Sequence, residues 1–532
     1  MNTINLSDTN YFSSLMLDYV NQVDSTKDLY HRYPEKSQFL EQAKEKLGSY
    51  KNREVLVNQI TQQMSNLNLS KKQKKNLDLL SRDNTVTITT GHQLNLFTGP
   101  IFFFYKILQI IKQCKELNKS QNEFNYVPVF WMATEDHDFE EINHFKYQDR
   151  VIHWEHESGG PVGRLDTDGL TEVFDSYLSL LPNGIKKDSL RTLIELSYKK
   201  ANNLTDATRR LVHLLFREYG LIILDGDDKE LKKLMISTFK DELIHKPSFD
   251  LVNKQSENLN QYNYKIQVHP REINLFYINE DNSRERIVYE NEFFYVLNTD
   301  LKFSQEEILN ILENYPEKFS PNVILRPLYQ ETILPNVAYV GGGGEIAYWL
   351  ELKSMFNYYK IDFPILVLRN SLLLRTNKQL EKQKNLKLTD QNLFEKSLNT
   401  VKNITVENSE LINKLPALKA KLTDLFDELN SISNDTDPTF ANMVAAQRAK
   451  QLKGFEKLEK RLLKAEVKQN KNYQDRVDSL LKSLNQENGL QERKMNFSDF
   501  DFVNLDHFIE DIYKSIQPFE FNFIIITLDE SI

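Results

Sequence analysis

Four ionisable side chains follow one predicted strand, and they point more directly to chemistry than any other part of the sequence. Residues 127–133 form an apolar, β-forming run that ends in Glu135-Asp136-His137-Asp138. Because like charges repel, three carboxylates beside an imidazole are costly to gather without a purpose. They could bind a substrate amine, position Mg²⁺ or supply a general base. The alternative is a helix N-terminus, where acidic residues serve in capping and interact favourably with the dipole.

A second polar cluster ends the preceding predicted strand. Residues 86–90 are β-forming and stop at Gly91, His92 and Gln93. A glycine at a strand-to-helix turn lets the backbone approach a ligand closely, and the next helix would offer free N–H groups to an anion. His92 could then contact a phosphate or act as an acid. The alternative is a tight turn with a hydrogen-bonded histidine, and the motif matches neither of the common glycine-rich nucleotide fingerprints.

Four consecutive glycines form the third candidate site. They follow a predicted strand at residues 336–340, and they are Gly341, Gly342, Gly343 and Gly344. Glycines destabilise the interior of a helix or strand, so they predict a flexible or closely approached loop that opens a helix to about Phe356. Such a turn is a natural anion cradle, with Tyr339 and Glu345 as polar neighbours, although a plain loop is the alternative.

Alternating strands and helices bring these clusters together. An apolar helix at about residues 100–117 joins the first two strands, which should therefore be parallel with a right-handed crossover. Residues 220–224 predict a third strand, followed by a charged helix from Lys229 to about Leu243, and residues 363–368 predict another strand. In α/β sheets, ligands bind at the carboxyl ends of strands. The sequence thus predicts an α/β fold with a parallel sheet and an active site at its carboxyl edge.

Two other arginines and two further segments complete the first part of the chain. Arg326 and Arg369 lie near candidate strands and could face anionic substrates, although each taken singly is more typical of a surface charge. Residues 1–84 have a mostly polar, helical pattern. Residues 264–298 are β-rich, with a turn at 280–283, and predict an antiparallel insertion.

The residue pattern of the chain changes after Ser371. Leucines and one isoleucine spaced alternately four and three residues apart predict a heptad seam, at positions 411, 415, 418, 422, 425, 429 and 432. Pro416 predicts a helix start or a kink, and a break at residues 433–438 leads into a second helix to about Leu484. Two such helices make an antiparallel hairpin. Residues 519–528 predict a strand that returns to the core.

These residue patterns predict three regions along the chain. The core occupies residues 1–370, with the β-rich insertion at about 260–300; the helical coiled coil occupies 371–490, and the C-terminal segment occupies 491–532. The net charge of −9 argues mildly against a nucleic-acid partner. No apolar run could span a bilayer, and the first residues lack a secretory pattern. The single cysteine, Cys114, fits a reducing cytoplasm and, within the apolar helix, a buried structural thiol.

Several longer motifs run through the chain in a fixed order. They are TGHQ at 90–93 with LFTGP at 96–100, PVFW at 128–131 with EDHDF at 135–139, PNVAYVGG at 335–342 with GEIAYW at 344–349, and LQER at 490–493. With the helical hairpin, they resemble the BshC family, the cysteine-adding enzymes of bacillithiol synthesis, over nearly the whole chain. Two positions depart from the family pattern: glutamine is common in place of His92, and Gly343 replaces a proline.

The resemblance implies a Rossmann-like core related to nucleotidylyltransferases, with a coiled coil that mediates homodimerisation. It implies a cytoplasmic ligase that joins the carboxyl group of cysteine to the amine of glucosaminyl-malate by forming an amide bond. A free carboxylate needs activation, so we expect ATP to be consumed through an acyl-adenylate or acyl-phosphate, with Mg²⁺ as the candidate metal. Neither a nucleic acid nor a membrane is an expected partner.

In this interpretation, the clusters have different roles. The two glycine-containing clusters, with Tyr339 and Glu345, bind nucleotide phosphate or malate, whereas the cluster at residues 135–138 holds the amine, accepts its proton or positions Mg²⁺. Two alternatives remain open: a nucleotidylyltransferase acting on another small acid, and a non-catalytic coiled-coil adaptor with a nucleotide-binding-like fold. An adaptor need not keep the acid–histidine cluster, and nucleotide titration separates it from an enzyme.

Overall fold

The computed structural model describes residues 1–433, 435–484 and 489–528. Asn434 of the predicted interhelical break, residues 485–488 of the predicted coiled-coil region and residues 529–532 of the predicted C-terminal segment lie outside the described residues. The chain divides into two compact units. The first comprises Met1–Ser7, Tyr11–Leu373 and Glu492–Ile532, and the second comprises Asp8–Asn10 and Leu374–Gln491.

The described residues form strands and α-helices that are numbered in chain order. The strands are β1 (Asn2–Asn5), β2 (Thr85–His92), β3 (Asn125–Met132), β4 (His144–Tyr147), β5 (Arg150–His153), β6 (Ile222–Asp225), β7 (Leu275–Ile278), β8 (Arg284–Glu290), β9 (Phe293–Val296), β10 (Lys302–Phe303), β11 (Phe319–Pro321), β12 (Asn336–Gly341), β13 (Ile365–Leu368), β14 (Ser371–Thr376) and β15 (Asn522–Leu528). The helices are α1 (Ser14–Val20), α2 (Asp24–Lys27), α3 (Gln38–Ser49), α4 (Arg53–Gln63), α5 (Lys71–Leu80), α6 (Phe102–Ser120), α7 (Phe139–Ile142), α8 (Leu170–Leu180), α9 (Ile185–Ser197), α10 (Leu204–Phe216), α11 (Lys229–Lys233), α12 (Ile236–His245), α13 (Pro247–Asn260), α14 (Gln305–Asn314), α15 (Leu325–Ile333), α16 (Gly343–Leu350), α17 (Lys353–Tyr359), α18 (Asn377–Asn385), α19 (Ser397–Asn408), α20 (Glu410–Asn413), α21 (Leu415–Ser433), α22 (Pro438–Gln469), α23 (Lys471–Ser483) and α24 (Leu505–Ser515).

A five-stranded parallel sheet is the centre of the first unit, as predicted. Its strand order is β13-β12-β2-β3-β6, and β2 pairs in parallel with both β3 and β12. The strands are buried almost throughout, which is why they consist of β-branched and apolar residues rather than an alternation. The chain runs outward from β2 through β3 to β6, and then returns to add β12 and β13 on the other side. The order therefore reverses between β2 and β12, which is where α/β sheets bind ligands.

The crossover helix between β2 and β3 begins later than the sequence predicted. Helix α6 starts at Phe102, and the residues after Gln93 form an irregular connection that includes a short 3₁₀ turn, Leu96–Thr98. Gly99 has a φ of 61°, and a Cβ there would lie 2.8 Å from Cβ of Asn95, so this tight connection requires glycine. Gly91 and His92 belong to the strand itself. The prediction that Gly91 occupies a strand-to-helix turn was therefore wrong.

The four glycines also form a different structure from the predicted loop. Gly341 ends β12, Gly342 is the N-cap of α16, and Gly343 and Gly344 are the first residues of that helix. Glycine is favourable at the N-cap, and its entropic cost applies mainly to the middle of a helix. The predicted helix to about Phe356 is divided into α16 and α17, and the predicted helix after Lys229 is divided into α11 and α12.

The β-rich insertion is an antiparallel sheet of order β10-β9-β8-β7-β11. Residues 264–270, the first part of the segment predicted to be β-rich, do not form a strand. The N–H groups of Gln267 and Val268 donate to the carboxylate of Glu351 instead of to a neighbouring strand. This segment is consequently irregular, although it is fixed by hydrogen bonds.

The C-terminal segment returns to the first unit as predicted. Strand β15 pairs antiparallel with β1, in a three-stranded sheet of order β1-β15-β14. The sequence analysis missed β1, because four polar-flanked residues at the start of the chain give no periodic signal. The predicted helical pattern of residues 1–84 corresponds to helices α1 to α5.

The second unit contains the predicted helical hairpin. Ion pairs of Lys419 with Glu456 and Glu459, and of Arg448 with Asp427, show that α21 and α22 run antiparallel. Pro416 is the second residue of α21, where its missing N–H costs nothing, so the predicted helix start is confirmed. The heptad seam, however, divides into two stripes. Every second position of the seam is at least half exposed, namely Leu411, Leu418, Leu425 and Ile432.

Among the described residues, no helix is long and apolar enough to cross a membrane.

A buried carboxyl group at the amino ends of β2 and β12 makes the stability depend on pH. Oε1 of Glu331 accepts from Nε2 of Gln330 and Nδ2 of Asn336, both at 2.8 Å, and Asn336 also accepts from Thr87 and Thr89 in β2. Oε2 of Glu331 has no hydrogen-bond partner. Burial outweighs the nearby Lys46 charge and raises the pKa of Glu331 to about 7.

We predict that Glu331→Gln makes the chain more stable than wild type at neutral pH, because the variant has no carboxyl group to ionise at this position. The folded chain holds this proton between pH 4.5 and 7 while the unfolded chain releases it, so wild-type stability falls as pH rises through that window. A raised pKa of this size costs ~3 kcal/mol above pH 7, so the free energy of unfolding of the variant should gain that much relative to wild type. Urea unfolding across pH 4.5–8 measures it, with exposed Glu123→Gln as control. An unchanged pH dependence in Glu331→Gln would contradict the assignment.

Candidate active site

A cavity of about 630 Å³ lies at the carboxyl edge of the parallel sheet, around the point where the strand order reverses. Most of the residues that the sequence singled out line it. They are Gly91, His92, Gln93, Glu135, Asp136, His137, Asp138, Tyr339 and Glu345. The glycines at 341–344 are not part of the lining. The three strand ends thus converge on one space, as the parallel topology requires.

A buried ion pair spans the reversal point. Nζ of Lys106, on α6, donates to both carboxylate oxygens of Glu345, at 2.9 and 2.8 Å, and to the carbonyl oxygen of Gly91. Glu345 also accepts from the Tyr339 hydroxyl at 2.7 Å and from the Gly342 N–H at 2.9 Å. Burial alone would raise the pKa of Glu345, but the Lys106 ammonium and these hydrogen bonds lower it to about 2. The sequence analysis missed Lys106, because it lies inside an apolar helix.

The position of the Glu345 carboxylate also bears on the anion-binding role that the sequence predicted for the four glycines. It occupies the N-terminus of α16 as the partner of the N-cap residue Gly342, which is where the sequence predicted a bound anion. A phosphate at this helix end would meet a negative charge. Gly341 has a packing role instead, since a Cβ there would lie 3.0 Å from both Glu345 and Tyr339. This geometry does not favour the predicted anion cradle at Gly341, Gly342, Gly343 and Gly344.

His92 faces the cavity as an uncharged ring. It packs against Phe102 and Phe103, with ring centroids 5.3 Å away in both cases, and its Nε2 has no hydrogen-bond partner. Burial, with the charge of Lys106, lowers the pKa of His92 to about 3. A neutral imidazole can donate or accept a hydrogen bond. It does not supply the positive charge that the predicted phosphate contact or acid role would use at neutral pH.

Glu135 belongs to a buried charge network rather than to the free surface of the cavity. The Nζ atom of Lys232, on α11, lies 2.6 Å from Glu135 and 3.2 Å from Asp227, and Lys232 is fully buried. Arg164 binds Asp227 with two nitrogens, at 2.7 and 2.8 Å. Burial raises the pKa of Asp227, but Lys232 and Arg164 outweigh it and lower that pKa to about 2. These groups are charged and mutually compensated, so they support the wall of the cavity.

Asp225, at the end of β6, contacts the same network from below. Its Oδ1 accepts from the Thr134 hydroxyl at 2.5 Å and from the Asp227 N–H at 2.9 Å, and Arg209 lies 3.4 Å from Oδ2. Burial and the charge of Asp227 raise the pKa of Asp225 to about 6. Asp225 and Asp227 follow the predicted strand at residues 220–224, and Gly226 between them lines the cavity.

His137 is oriented by an arginine that the sequence analysis did not consider. Nη1 of Arg284, on β8, lies 2.9 Å from Nδ1 of His137, and its other nitrogens donate to Ser320 and Pro321. A guanidinium only donates, so Nδ1 of His137 accepts. The neutral ring therefore carries its proton on Nε2, which faces Asp138 at 3.9 Å. The guanidinium also packs on the Phe276 ring, 3.8 Å from its centroid.

Asp136 and Asp138 are the acids that remain available to a ligand. Nε2 of Gln93 donates to Oδ2 of Asp136 at 3.0 Å, so the amide of one predicted cluster orients the carboxylate of the other. Asp138 is the N-cap residue of the four-residue helix α7, but its side chain makes no capping hydrogen bond there. Capping therefore does not account for Asp138. Both carboxylates lack a lysine or arginine partner within 4 Å in the described part of the chain.

Positively charged side chains also line the cavity. They are Arg271, Arg284 and Arg326, accompanied by His269 and Asn322, and Arg284 is the one that contacts His137. Arg326 donates to the Tyr348 hydroxyl at 2.8 Å and to Gln330 at 3.1 Å. Sequence reasoning treated Arg326 as a surface charge and missed Arg271, because the irregular segment between α13 and β7 carries no periodic signal. Arg369 is buried rather than exposed, and it pairs with Glu492 at 2.6 Å.

No group of three or more His, Cys, Asp or Glu residues in the described parts of the chain could hold a metal ion. Asp136 and Asp138 alone could supply the one or two carboxylates that Mg²⁺ uses when substrate phosphates complete its shell. The residues therefore fit a metal that arrives with a nucleotide, and they do not fit a protein-only metal site.

Comparison with known proteins gives the family. The model described as "Bacillithiol biosynthesis BshC, N-terminal Rossmann-like domain" matches residues 1–370, and "Bacillithiol biosynthesis BshC, C-terminal coiled-coil domain" matches residues 372–528. The chain belongs to the BshC family. Three relatives share the printed name "Putative cysteine ligase BshC": those of Flavobacterium johnsoniae (47% identity, 99% of both chains), Flavobacterium psychrophilum (46%, 98% of both) and Christiangramia forsetii (41%, 99% of both).

The BshC match confirms the predicted family and, with the five-stranded parallel sheet, the predicted Rossmann-like α/β class with a coiled-coil domain. The name of the relatives describes an enzyme that forms a carbon–nitrogen bond. The roles predicted for the individual BshC site residues stay predictions, and the cavity geometry now limits which of them are free to meet a substrate.

We predict that Lys106→Met strongly destabilises the BshC chain and that Glu345→Gln in the same chain restores most of the loss. Removing one partner of a buried ion pair leaves an uncompensated charge, which costs ~3–5 kcal/mol, whereas neutralising both partners is far less costly. Urea unfolding of the two single variants and the double variant measures the coupling free energy. Additive losses in the double variant would show that the pair is not the unit of stability.

Proposed function

We propose that the chain is an ATP-dependent ligase that joins the carboxyl group of cysteine to the amine of glucosaminyl-malate, the last step of bacillithiol synthesis. The observation that carries the proposal is that one cavity is lined both by two carboxylates, Asp136 and Asp138, and by two guanidinium groups, Arg271 and Arg326, with no Lys/Arg–Asp/Glu ion pair at any of the four among the described residues. An acceptor with an amine at one end and two carboxylates at the other has the complementary charges. The names of the BshC relatives support the same activity.

In this proposal, the two carboxylates of Asp136 and Asp138 bind the amine of the acceptor. Asp136 and Asp138 carry charges that no lysine or arginine within 4 Å compensates in the described residues, so an ammonium group is their natural partner. Glu135 already neutralises Lys232, and it contributes to the electrostatic environment rather than to substrate contact. In its neutral form His137 carries a proton on Nε2, so it donates and does not accept. The base that takes the amine proton is therefore one of the two aspartates.

The reaction needs two bond exchanges. The cysteine carboxylate attacks a phosphorus atom of ATP, which releases pyrophosphate or ADP and forms a mixed anhydride. The acceptor amine then attacks the acyl carbon, the bond from that carbon to the phosphate oxygen breaks, and AMP or phosphate leaves. The amine proton passes to an aspartate carboxylate. Asp136 and Asp138 could supply one or two ligands to a Mg²⁺ ion bound together with ATP, and that ion would offset the phosphate charge.

We predict that the double variant Asp136→Asn/Asp138→Asn lowers kcat/KM for product formation by ~10²–10⁴, because it removes both the ammonium contact and the base. Purified protein is incubated with cysteine, glucosaminyl-malate, ATP and Mg²⁺, and mass spectrometry follows the amide product. AMP with pyrophosphate, or ADP with phosphate, identifies the mixed anhydride.

The matched control is Asp149→Asn, which removes an exposed carboxylate that does not line the cavity. Product from the double variant at the wild-type rate would move the chemistry elsewhere. Pyrophosphate release from the wild type without cysteine would instead support a nucleotidylyltransferase acting on another acid. No nucleotide binding at all would support the adaptor.

We propose further that two chains pair through the exposed stripe of the heptad seam. Leu418, Leu425 and Ile432 recur every seven residues on α21, and each is at least half exposed. A heptad stripe that the hairpin does not cover is what a second helix of the same kind would bury. A homodimer would thus use the coiled-coil unit for association and leave the catalytic cavity to the first unit.

We predict that Leu418→Glu/Leu425→Glu converts the dimer to a monomer, because charges at consecutive seam positions oppose burial. Analytical ultracentrifugation at micromolar concentration should give twice 62.6 kDa for the wild type and 62.6 kDa for the variant. Val151→Glu, an equally exposed apolar position in the first unit, is the control and should stay dimeric. A monomeric wild type, or a dimeric stripe variant, would contradict this interface.

A further inference from the structure

We infer that Arg271 and Arg326 bind the carboxylates of the acceptor substrate, and that Glu351 is a positioning residue that holds the segment carrying Arg271 against the cavity. The inference rests on the proposed function, since it assigns one end of the proposed acceptor to named residues. The ligand class is a dicarboxylate, such as the malyl group of glucosaminyl-malate.

Arg326 is oriented by neutral partners and keeps its charge for a ligand. It lies in the first turn of α15, and its guanidinium donates to the Tyr348 hydroxyl and to Gln330. It also lies 5.9 Å from the centroid of the Tyr339 ring. Within the described residues, no carboxylate lies within 4 Å of it, whereas the buried Lys106 and Lys232 each have one or more. An arginine fixed in this way favours an anionic ligand.

Arg271 lines the same cavity and lies in the irregular segment between α13 and β7. Its N–H donates to Oδ1 of Asn274 at 3.1 Å, and its carbonyl oxygen accepts from Nδ2 of Asn274 at 2.8 Å. Oδ1 of Asn274 also accepts from Nδ2 of Asn322 at 2.8 Å, and Asn322 lines the cavity just before α15. The fully buried Asn274 thus fixes the backbone of Arg271 relative to the turn that leads to Arg326. Both guanidinium groups are therefore carried on one connected frame.

Two buried carboxylates hold this segment at its ends. Glu351, after α16, accepts from the N–H groups of Gln267 and Val268 at 2.8 and 3.3 Å. Glu242, on α12, accepts from the N–H and the side-chain amide of Asn274 at 2.9 and 3.1 Å. Both glutamates are fully buried, and in the described chain neither has a lysine or arginine within 4 Å.

A buried carboxylate without a cation is costly unless hydrogen bonds satisfy it. Burial raises the pKa of Glu351 to about 7. Its hydrogen-bond partners are the backbone of the segment and the Ser256 hydroxyl, at 3.5 Å. The carboxylate therefore fixes the path of residues 267–268, and with it the direction from which Arg271 approaches the cavity.

Anionic oxygens could come from acceptor carboxylates or from the phosphates of ATP, and the geometry favours the carboxylates. Arg271 and Arg326 line the same cavity as Asp136 and Asp138, so an acceptor with its amine on the aspartates can place its carboxylates on the arginines. Arginine binds carboxylates with two parallel hydrogen bonds, and two guanidinium groups match two carboxylates.

The first experiment compares Arg271→Gln and Arg326→Gln with Lys265→Gln, which removes an exposed charge from the same segment without touching the cavity. Each arginine variant should raise KM for glucosaminyl-malate about tenfold or more, because a charge-assisted hydrogen bond is lost. KM for ATP should change less than twofold. Methyl glucosaminide, an acceptor without carboxylates, should be used equally poorly by wild type and variants.

A rise in KM for ATP instead would assign the arginines to phosphate and overturn the inference. So would equal losses with both acceptors, or an unchanged KM for glucosaminyl-malate. Calorimetric binding of glucosaminyl-malate without ATP separates this inference from the ligase proposal. If the wild type binds it and Arg271→Gln does not, the site holds even if no product forms. If the wild type binds none, the inference fails.

The positioning role of Glu351 has its own readout. Glu351→Gln should raise KM for glucosaminyl-malate about three- to tenfold with kcat unchanged, since an amide cannot accept both N–H groups equally well. In the Arg271→Gln background the same change should have no further effect on KM, because the segment then carries no charge to position. A general fall in kcat, or an additive effect in the double variant, would show that Glu351 is only structural.

Discussion

The buried contact between Lys106 and Glu345 is the interaction on which the rest of the site depends. It joins the crossover helix α6 to the N-terminus of α16 at the point where the strand order reverses. The same two side chains hold the carbonyl of Gly91 at the end of β2 and the hydroxyl of Tyr339 in β12. Since either charge alone would be costly in this buried position, the pair fixes the two strand ends relative to each other. Breaking this contact would leave two buried charges unpaired, so the ion pair keeps the strand ends that line the cavity in place.

Charges around the cavity fall into two groups that differ in compensation. Lys232 and Arg164 are satisfied by Glu135 and Asp227, and they form a rigid wall. Among the described residues, Asp136, Asp138, Arg271 and Arg326 have no partner of opposite formal charge other than His137 beside Asp138. The compensated groups hold the uncompensated ones in place before any ligand binds. A preorganised site of this kind does not have to reorient its dipoles when charge develops in a reaction.

The sequence predicted the fold class because the relevant signals are local. Buried strands of β-branched residues, an apolar crossover helix and polar residues at each strand end identify a parallel sheet and its functional edge. The missing residues depend on long-range contacts. Lys106 lies in an apolar helix, and Arg271 becomes part of the site only because Glu351 and Asn274 fix its segment. The glycines at 341–344 predicted the start of a helix, but the contact between Glu345 and the N–H of Gly342 at that start was not part of the prediction.

His92 is an uncharged group beside the ion pair of Lys106 and Glu345, and this affects the electrostatics of the cavity. A charged imidazole beside Lys106 would add a second positive charge at the reversal point, and burial prevents it by lowering the pKa of His92 to about 3. The position therefore holds a polar contact without charge, between phenylalanines and the ion pair. Because Glu345 compensates Lys106, the positive charge that faces the cavity comes from the arginines that line it, Arg271, Arg284 and Arg326.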